Sequence, residues 1–162
     1  MKLSTEGLNF IKRWEGFVPY AYDDADPKKV KTRIMPGMRV EGYLTIGYGT
    51  TKNVRPGDEI TEEEAVERLF EHSVLDQKAV LSLCKKKPSQ HQFDAMVSLC
   101  YNIGRGAFAK SSVIRRYNLG AIPAAGDAFL MWNKTNGAVS QGLVNRREAE
   151  RSIFLEADYG QA

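Results

Sequence analysis

The sequence has few cysteines, no long apolar run and no strong excess of charge of one sign. Its two cysteines, Cys84 and Cys100, are too few for a disulfide framework, and neither has the Cys or His spacing of a metal site. No stretch approaches the ~18 to 20 consecutive apolar residues of a membrane-spanning helix, and the first residues lack the apolar core of a secretory signal. We therefore expect a protein that is made soluble in the cytoplasm, with no membrane insertion, no metal and no other cofactor.

What remains is the composition of an ordinary globular domain. The chain has 162 residues, of which 43% are hydrophobic, which is enough for one compact domain with a real core. The formal net charge is +3 and the pI is about 8.8. This mild excess of positive charge favours attraction to an anionic polymer, but it is common among proteins of this size.

The sequence predicts one short helix followed by a small antiparallel sheet. Ser4 has the position of an N-cap and Gly16 that of a stop, so the first helix is expected from about Thr5 to Glu15. Residues 43–49 alternate with a period of two, which is typical of a strand. Residues 28–41 predict a basic hairpin around a turn at Pro36 and Gly37.

The second part of the chain predicts a series of helices. Capping boxes formed by Thr61 with Glu64 and by Ser89 with Gln92 open two long helices, and the second of these is apolar on most sides, so it is expected in the middle of the core. Shorter helices are expected at about 111–118, 123–132 and 143–157.

Glu15 is the first residue whose position suggests chemistry. It shares a helix face with Leu8 and Ile11, so a carboxyl group points where an apolar side chain is expected. It also lies in the last helical turn, where the helix dipole and burial both favour the protonated form, which is the form of a general acid. The alternatives are a glutamate neutralised by an arginine, or one that simply ends the helix at the surface.

Three aspartates and a threonine follow in the region of the expected sheet. Asp23, Asp24 and Asp26 lie in a turn-rich stretch, where aspartate is usually a turn former. Thr45 shares a strand face with Gly47, and glycines at 47 and 49 leave that strand bare enough for a bulky ligand to approach. A bulge or bend in a twisted ribbon is the alternative explanation for these glycines.

Taken in order, these residues resemble a known family. The chain is similar to the phage T4-type lysozymes, which are the endolysins of glycoside hydrolase family 24. The resemblance implies a predominantly helical α+β fold in a single domain (1–162), with a small antiparallel β lobe (about 16–60) and a larger helical lobe (about 61–157, with the first helix) around a cleft. The blocks that carry it are Glu15-Gly16, Ala21 to Asp24, Tyr43 to Gly49, Phe93 to Gly104, Phe108, Ser111-Ser112, Trp132, Gly142-Leu143, Arg146-Arg147 and Glu150.

The resemblance also implies an activity and an active site. It implies hydrolysis of the β-1,4 bond between N-acetylmuramic acid and N-acetylglucosamine in peptidoglycan, with inversion, with Glu15 as general acid, and with Asp24 and Thr45 assisting the water and the transition state. Arg146 matches an arginine that pairs with the catalytic glutamate, and its neighbour Arg147 is expected to be a surface residue or to pair with Glu150. Further cleft-lining positions match Tyr101, Asn102 and Ser112.

The chain departs from the family pattern at two points. The interval between Asp24 and Thr45 is longer, and its extra residues are those of the basic hairpin 28–41, so Asp23 and Asp26 compete with Asp24 for the catalytic role. Thr50 stands where the family has a histidine shortly after the Gly-x-Gly pair. The purpose of the extra segment is open from the sequence.

Location and partners follow from the family as expectations. A monomer is expected to accumulate in the cytoplasm of an infected bacterium and to need a holin to reach the periplasmic wall. Three alternative functions are to be weighed against a lysozyme. The first is that of a non-catalytic peptidoglycan-binding or structural relative. A second is a nucleic-acid-binding protein, but the chain lacks a concentrated basic stripe, so no nucleic acid is expected. A third is a lytic transglycosylase, which leaves anhydromuramyl ends.

Overall fold

The computed structural model describes residues 1–26 and 31–160. It divides into two compact units, which we describe separately. The β unit consists of residues 12–72, and the helical unit consists of residues 1–11 together with the chain from residue 73 onward. Among the described residues, no helix combines the length and the apolar character needed to cross a membrane.

The β unit is built on two short antiparallel strands, β1 (Val18–Asp23) and β2 (Leu44–Gly47). Tyr22 lies opposite Thr45, and the register shifts between Val18 and Tyr22, so the sheet is small and irregular as predicted. Strand β1 itself was not predicted, because its sequence VPYAYD has the proline and aspartate of a turn.

The segment predicted as a hairpin has the turn but not the pairing. The amide of Met38 donates to the carbonyl of Met35 (3.2 Å), which closes the turn at Pro36 and Gly37. The arms do not pair with each other in the described residues 31–41. Instead Ile34, which is only 6% exposed, donates its N–H to the carbonyl of Ala21 (2.8 Å). The prediction of a hairpin is therefore wrong, because this arm lies on β1; residues 28–30 are outside the described part.

The long helices begin where their caps predict. Helix α1 spans Thr5–Glu15, and the hydroxyl of Ser4 accepts the N–H of Gly7 (3.0 Å). Helices α2 (Glu62–Leu83) and α3 (Gln90–Ile103) both begin at the predicted capping boxes. Helix α3 is central in the core, as its apolar composition predicts, since Phe93, Met96 and Leu99 are fully buried.

The rest of the helical unit packs around α3. Helices α5 (Ser112–Asn118), α6 (Ile122–Phe129) and α7 (Gln141–Glu156) match the expected positions. Three elements of this unit were not predicted, the short helix α4 (Arg105–Ala109) and the two-residue strands β3 (Lys134–Thr135) and β4 (Ala138–Val139). The aromatic rings of Phe129 and Phe154 lie 5.2 Å apart and join α6 to α7. The whole is predominantly helical with a small antiparallel sheet, as expected.

Candidate active site

Glu15 lies at the carboxyl end of α1. Gly16, with φ of +70°, ends the helix and donates its N–H to the carbonyl of Lys12 (3.1 Å). The carboxyl of Glu15 is half-buried, and a Cβ atom built on Gly49 would lie 3.4 Å from its Oε2. Glu15 therefore packs against a bare stretch of main chain, which leaves room beside the carboxyl group.

The two glycines of this stretch have different surroundings. Gly49 follows β2 and is exposed beside Glu15, so the main chain there is open to a ligand. Gly47 is buried, and a Cβ on it would lie 2.9 Å from the Cβ of Ala65, so its missing side chain lets α2 pack closely. Access for a ligand is thus the wrong explanation for Gly47. The alternative of a bend is confirmed for both glycines, which have φ of +66° and +79° at the turn that ends β2.

Asp23 and Asp24 are neighbours with opposite environments. The carboxylate of Asp23 is buried and accepts main-chain N–H groups from Glu41 (2.8 Å), Gly42 (2.9 Å) and Ala25 (3.0 Å). These bonds, that from Glu41 most strongly, hold the pKa of Asp23 below its usual range. Asp24 is exposed at the end of β1, and its Oδ1 accepts the N–H of Tyr43 (2.7 Å).

Thr45 is joined to Asp24 through one peptide group. Its hydroxyl, on a side chain only 4% exposed, donates to the carbonyl of Tyr43 (3.0 Å), and the same carbonyl accepts the N–H of Asp24 (3.1 Å). A hydroxyl that donates in this way keeps lone pairs with which to accept a hydrogen bond. Asp24 and Thr45 therefore lie on the same side of the short sheet.

Tyr22 connects these groups electrostatically. Burial raises the pKa of its phenol, and the charges of Asp24 and Glu15 raise it further. The ring also lies under the ammonium group of Lys31, 5.5 Å from the ring centroid. The β unit thus brings Glu15 and Asp24 within electrostatic reach of one side chain, which itself lies opposite Thr45. From the sequence, Tyr22 is only part of a motif, and its place before the two aspartates was the available signal of this role.

The other candidate residues belong to the helical unit. Tyr101 is half-buried near the end of α3, and Asn102 beside it is exposed. The hydroxyl of Ser112 accepts a hydrogen bond from Nη2 of Arg115 (2.9 Å), while the neighbouring Ser111 is the N-cap of α5.

Arg146 and Arg147 form a buried network with Glu150. Nε of Arg146 lies 3.2 Å from Oε1 of Glu150, and Nε of Arg147 lies 2.8 Å from Oε2. The hydroxyl of Ser98 also donates to Glu150 (2.7 Å). Burial raises the pKa of Glu150, and the two guanidinium charges oppose that shift. The expectation of Arg147 as either a surface residue or a partner of Glu150 resolves to the second, because both arginines pair with the same glutamate.

A cavity of about 540 Å³ opens beside this network. Nη2 of Arg147 donates to Oδ1 of Asn102 (2.8 Å), and both residues line the cavity together with Trp132 and Lys134. Its wall therefore combines an aromatic ring, an amide and two cations, which are the groups that bind a sugar or an anionic substituent. The sequence singled out Trp132 only as part of a motif.

The comparisons with known proteins concern the family and the fold of the chain. The family model described as Phage lysozyme matches residues 12–150. The chain is 38% identical over 160 residues to the endolysin of Salmonella phage P22, covering 96% of this chain and 99% of that one. The chain belongs to the phage lysozyme family.

Two further relatives extend the comparison. The endolysin of Bacillus phage B103 is 41% identical over 160 residues, which is 98% of this chain but 56% of that protein, so the chain spans about half the length of that relative. Among solved structures, the muramidase domain of SpmX from Asticaccaulis excentricus superposes with a TM-score of 0.81 at 35% identity, covering 95% of this chain and 97% of that one. The lysozyme fold is therefore shown over nearly the whole sequence.

The described residues of this phage lysozyme family member hold no cluster of histidine, cysteine, aspartate and glutamate suited to a metal ion. Burial raises the pKa of the Cys84 thiol to about 11 and that of Cys100 to about 12, so neither is a ready nucleophile. The ionisable groups of the β unit that suit glycosidic chemistry are thus its carboxyl groups.

Proposed function

We propose that this protein hydrolyses the β-1,4 bond between N-acetylmuramic acid and N-acetylglucosamine in bacterial peptidoglycan. The observation that carries the proposal is the placement of a half-buried carboxyl, Glu15, and an exposed carboxylate, Asp24, within electrostatic reach of Tyr22. Glycosidic hydrolysis needs two such groups, one to protonate the leaving oxygen and one to assist water or stabilise the positive transition state. Membership in the phage lysozyme family supports the same substrate class.

Each of the three residues has a role that its surroundings support. Glu15, at the carboxyl end of α1 and partly shielded from water, donates the proton to the leaving oxygen. Asp24, exposed at the end of β1, bears the charge that orients water and stabilises the sugar cation. Thr45 accepts a hydrogen bond from that water, because its own proton is already donated to Tyr43. The product is expected with inverted configuration at the anomeric carbon.

Asp24 is the proposed catalytic aspartate because Asp23 is already occupied. Both oxygens of Asp23 accept main-chain N–H groups in a buried position, so this carboxylate cannot turn toward a substrate without losing them. Asp24 lies exposed one residue later, with one oxygen fixed on Tyr43. The choice between these two aspartates thus rests on their hydrogen bonds.

The helical unit supplies the proposed substrate-binding residues Tyr101, Asn102, Ser112 and Arg146. Asn102 has the best support, since it lines the cavity with Trp132 and is held by Arg147. Arg146 is held by Glu150 and Ser98, so its guanidinium is kept in one orientation. Such a fixed set of polar groups fits the amide and carboxylate groups of peptidoglycan.

The biological setting is proposed from the family resemblance. The protein acts as a monomer during host-cell lysis: it accumulates in the host cytoplasm before lysis, depends on a holin for release and then acts on the periplasmic wall. Holin dependence is tested by expressing the protein in a Gram-negative host with and without a holin. Lysis without a holin would contradict this part of the proposal.

The activity is tested by clearing of permeabilised Gram-negative cells, followed by mass spectrometry of the released fragments. We expect clearing and fragments that end in reducing N-acetylmuramic acid. Binding to the wall without clearing would instead support a non-catalytic relative, and anhydromuramyl ends would support a lytic transglycosylase. In the active protein, Asp24→Asn is expected to slow clearing strongly while leaving a measurable residual rate, and Asp26→Asn is expected to retain the wild-type rate.

A further inference from the structure

The extra segment 28–41 ends at Glu41, and this residue and the next, Gly42, both contact Asp23. Their N–H groups donate to Oδ2 and Oδ1 of Asp23, at 2.8 Å and 2.9 Å, across 18 and 19 residues of chain. The N–H of Ala25 donates to the same Oδ1 at 3.0 Å. One buried carboxylate therefore ties the residues after Asp24 to the residues before Tyr43.

Asp24 lies inside this closed arrangement. Its N–H donates to the carbonyl of Tyr43 (3.1 Å), and its Oδ1 accepts the N–H of the same residue (2.7 Å). The residue after Asp24 and the two residues before Tyr43 are the ones whose N–H groups Asp23 binds. The orientation of the Asp24 carboxylate thus depends on where residues 41–43 are placed.

Gly42 is fitted against Asp24 itself. A Cβ built on Gly42 would overlap Oδ1 of Asp24, and it would lie 2.6 Å from the Cβ and 3.0 Å from the main-chain nitrogen of Ala25. Gly42 does not have the positive φ that disfavours other residues. The contacts with Asp24 and Ala25, and not the backbone conformation, require glycine here, and the contact with Asp24 is the shortest of them.

We propose that Asp23 and Gly42 are positioning residues that fix the catalytic orientation of Asp24, and that the extra segment takes part through its last residue, Glu41, whose N–H Asp23 binds. The inference rests on the proposed role of Asp24. Asp23 supplies the charge that gathers three N–H groups, and Gly42 supplies the space that the Asp24 carboxylate fills. Neither side chain touches the substrate.

The first test compares Asp23→Asn and Gly42→Ala with two matched controls. Asp58→Asn changes a carboxylate that accepts one main-chain N–H, from Arg55 (2.8 Å), and Gly106→Ala adds a Cβ where nothing lies within 4 Å. Steady-state rates on purified peptidoglycan are measured below each variant's unfolding temperature and divided by the folded fraction. We expect kcat to fall about 10-fold to 100-fold in the first two variants, with KM changed less than about threefold, because a misplaced group slows the chemical step. Both controls should stay within about twofold of wild type.

The second test asks whether the effect passes through Asp24. Asp23→Asn is combined with Asp24→Asn, and we expect the double variant to lose less than about twofold beyond Asp24→Asn alone, because residues that act as a unit are not additive. The proposal would be overturned if Asp23→Asn lowered kcat as much in the Asp24→Asn background as it does in the wild type. A change of the single variants confined to KM or to the folded fraction would also overturn it. A wild type that does not cleave peptidoglycan would refute the proposed function, whereas an active wild type with unchanged Asp23→Asn and Gly42→Ala would refute this inference alone.

A third variant separates Asp24 from its neighbour. Ala25→Gly added to Gly42→Ala removes the contact at 2.6 Å with the Cβ of residue 25, and it leaves the overlap with Oδ1 of Asp24 and the longer contact of 3.0 Å with the main-chain nitrogen of residue 25. We expect kcat to remain low. Recovery of kcat would show that packing against Ala25 causes the loss, and it would overturn the role of Gly42. Because this comparison uses only Gly42→Ala with and without Ala25→Gly, it can be made even if Asp23→Asn fails to fold.

Discussion

The two compact units of this phage lysozyme family member hold buried charges in different ways. In the helical unit, Glu150 is fully buried and balances two arginines through side-chain ion pairs. In the β unit, the carboxylate of Asp23 is held by three main-chain N–H groups. The ion pairs of Glu150 lie within α7, and the hydroxyl of Ser98 joins that glutamate to α3, whereas the bonds of Asp23 fix the path of a loop.

Because of this difference, we expect substitutions at the two buried charges to have different effects, on stability in one unit and on catalytic geometry in the other. Removing one member of a buried ion network leaves charges without compensation, so its cost falls on folding. Removing a carboxylate that gathers N–H groups at the end of a strand releases a loop, so its cost falls on the residue beside that loop. We expect substitutions in the helical unit to change the free energy of unfolding most, and those around Asp23 to change rates most.

The largest stability effect is expected for Glu150→Gln. The substitution removes the carboxylate that two buried guanidinium groups share, and we expect a loss of about 3 to 5 kcal/mol in the free energy of unfolding. Urea unfolding measures it. Glu148→Gln, an exposed change on the same helix, is the control and should stay within about 0.5 kcal/mol. A loss below 1 kcal/mol for Glu150→Gln would show that the network contributes little.

A smaller loss is expected for Gly7→Ala. A Cβ at this position of α1 would lie 2.6 Å from Cγ of the buried Asp94, whose carboxylate accepts hydrogen bonds from the N–H of Ser4 and the hydroxyl of Tyr159. We expect about 1 to 3 kcal/mol of destabilisation by overpacking. Gly106→Ala, with open space around it, is the matched control. Equal stability of the two variants would contradict the assigned contact.

Acid should weaken the β unit through Asp23. Because main-chain hydrogen bonds, first that from Glu41, lower the pKa of Asp23, its ionisation stabilises the folded state above the unfolded pKa of about 3.9. That stabilisation is lost as the pH falls through the lower folded pKa. The urea midpoints of wild type and Asp23→Asn should therefore differ at pH 6 and converge at strongly acidic pH. A difference that is independent of pH would contradict this account.

The smallest effect is expected in thiol labelling. Both cysteines lie in the helical unit, and burial raises the pKa of Cys84 to about 11 and of Cys100 to about 12. Labelling of the native protein at pH 8 by a thiol reagent should therefore be slow. Glu150→Gln should accelerate it and Asp23→Asn should not. Equal acceleration by both variants would show that the two units do not open separately.

Local signals predicted much of the helical structure. Capping residues and apolar spacing placed α1, α2 and α3, because a helix is specified by neighbours three and four residues apart. Strand β1 was missed, because Pro19 and Asp23 are turn formers in isolation and the strand exists through pairing with residues far along the chain. The extra segment was predicted as a hairpin for the same reason: Ile34 is buried against β1 and not against its own second arm.

The candidate site likewise has features that the sequence predicts and features that depend on residues far along the chain. Glu15 was marked by its helix face alone, and the family resemblance added Asp24 and Thr45. The resemblance favoured Asp24 over Asp23, but the physical difference between the two could not be predicted, because it depends on N–H groups 18 and 19 residues away. The requirement for glycine at position 42 was equally hidden, since it comes from contacts with Asp24 and Ala25 and not from a positive φ.

The central claim is that the carboxyl group of Glu15 protonates the leaving oxygen during peptidoglycan cleavage. Its most direct test is the rate at which Glu15→Gln releases reducing ends from purified peptidoglycan, divided by the folded fraction. The substitution keeps the size of the side chain and removes the acid, so we predict a loss of at least about 100-fold to 10,000-fold at unchanged folded fraction. A Glu15→Gln variant that is folded and keeps more than about a tenth of the wild-type rate would contradict the account.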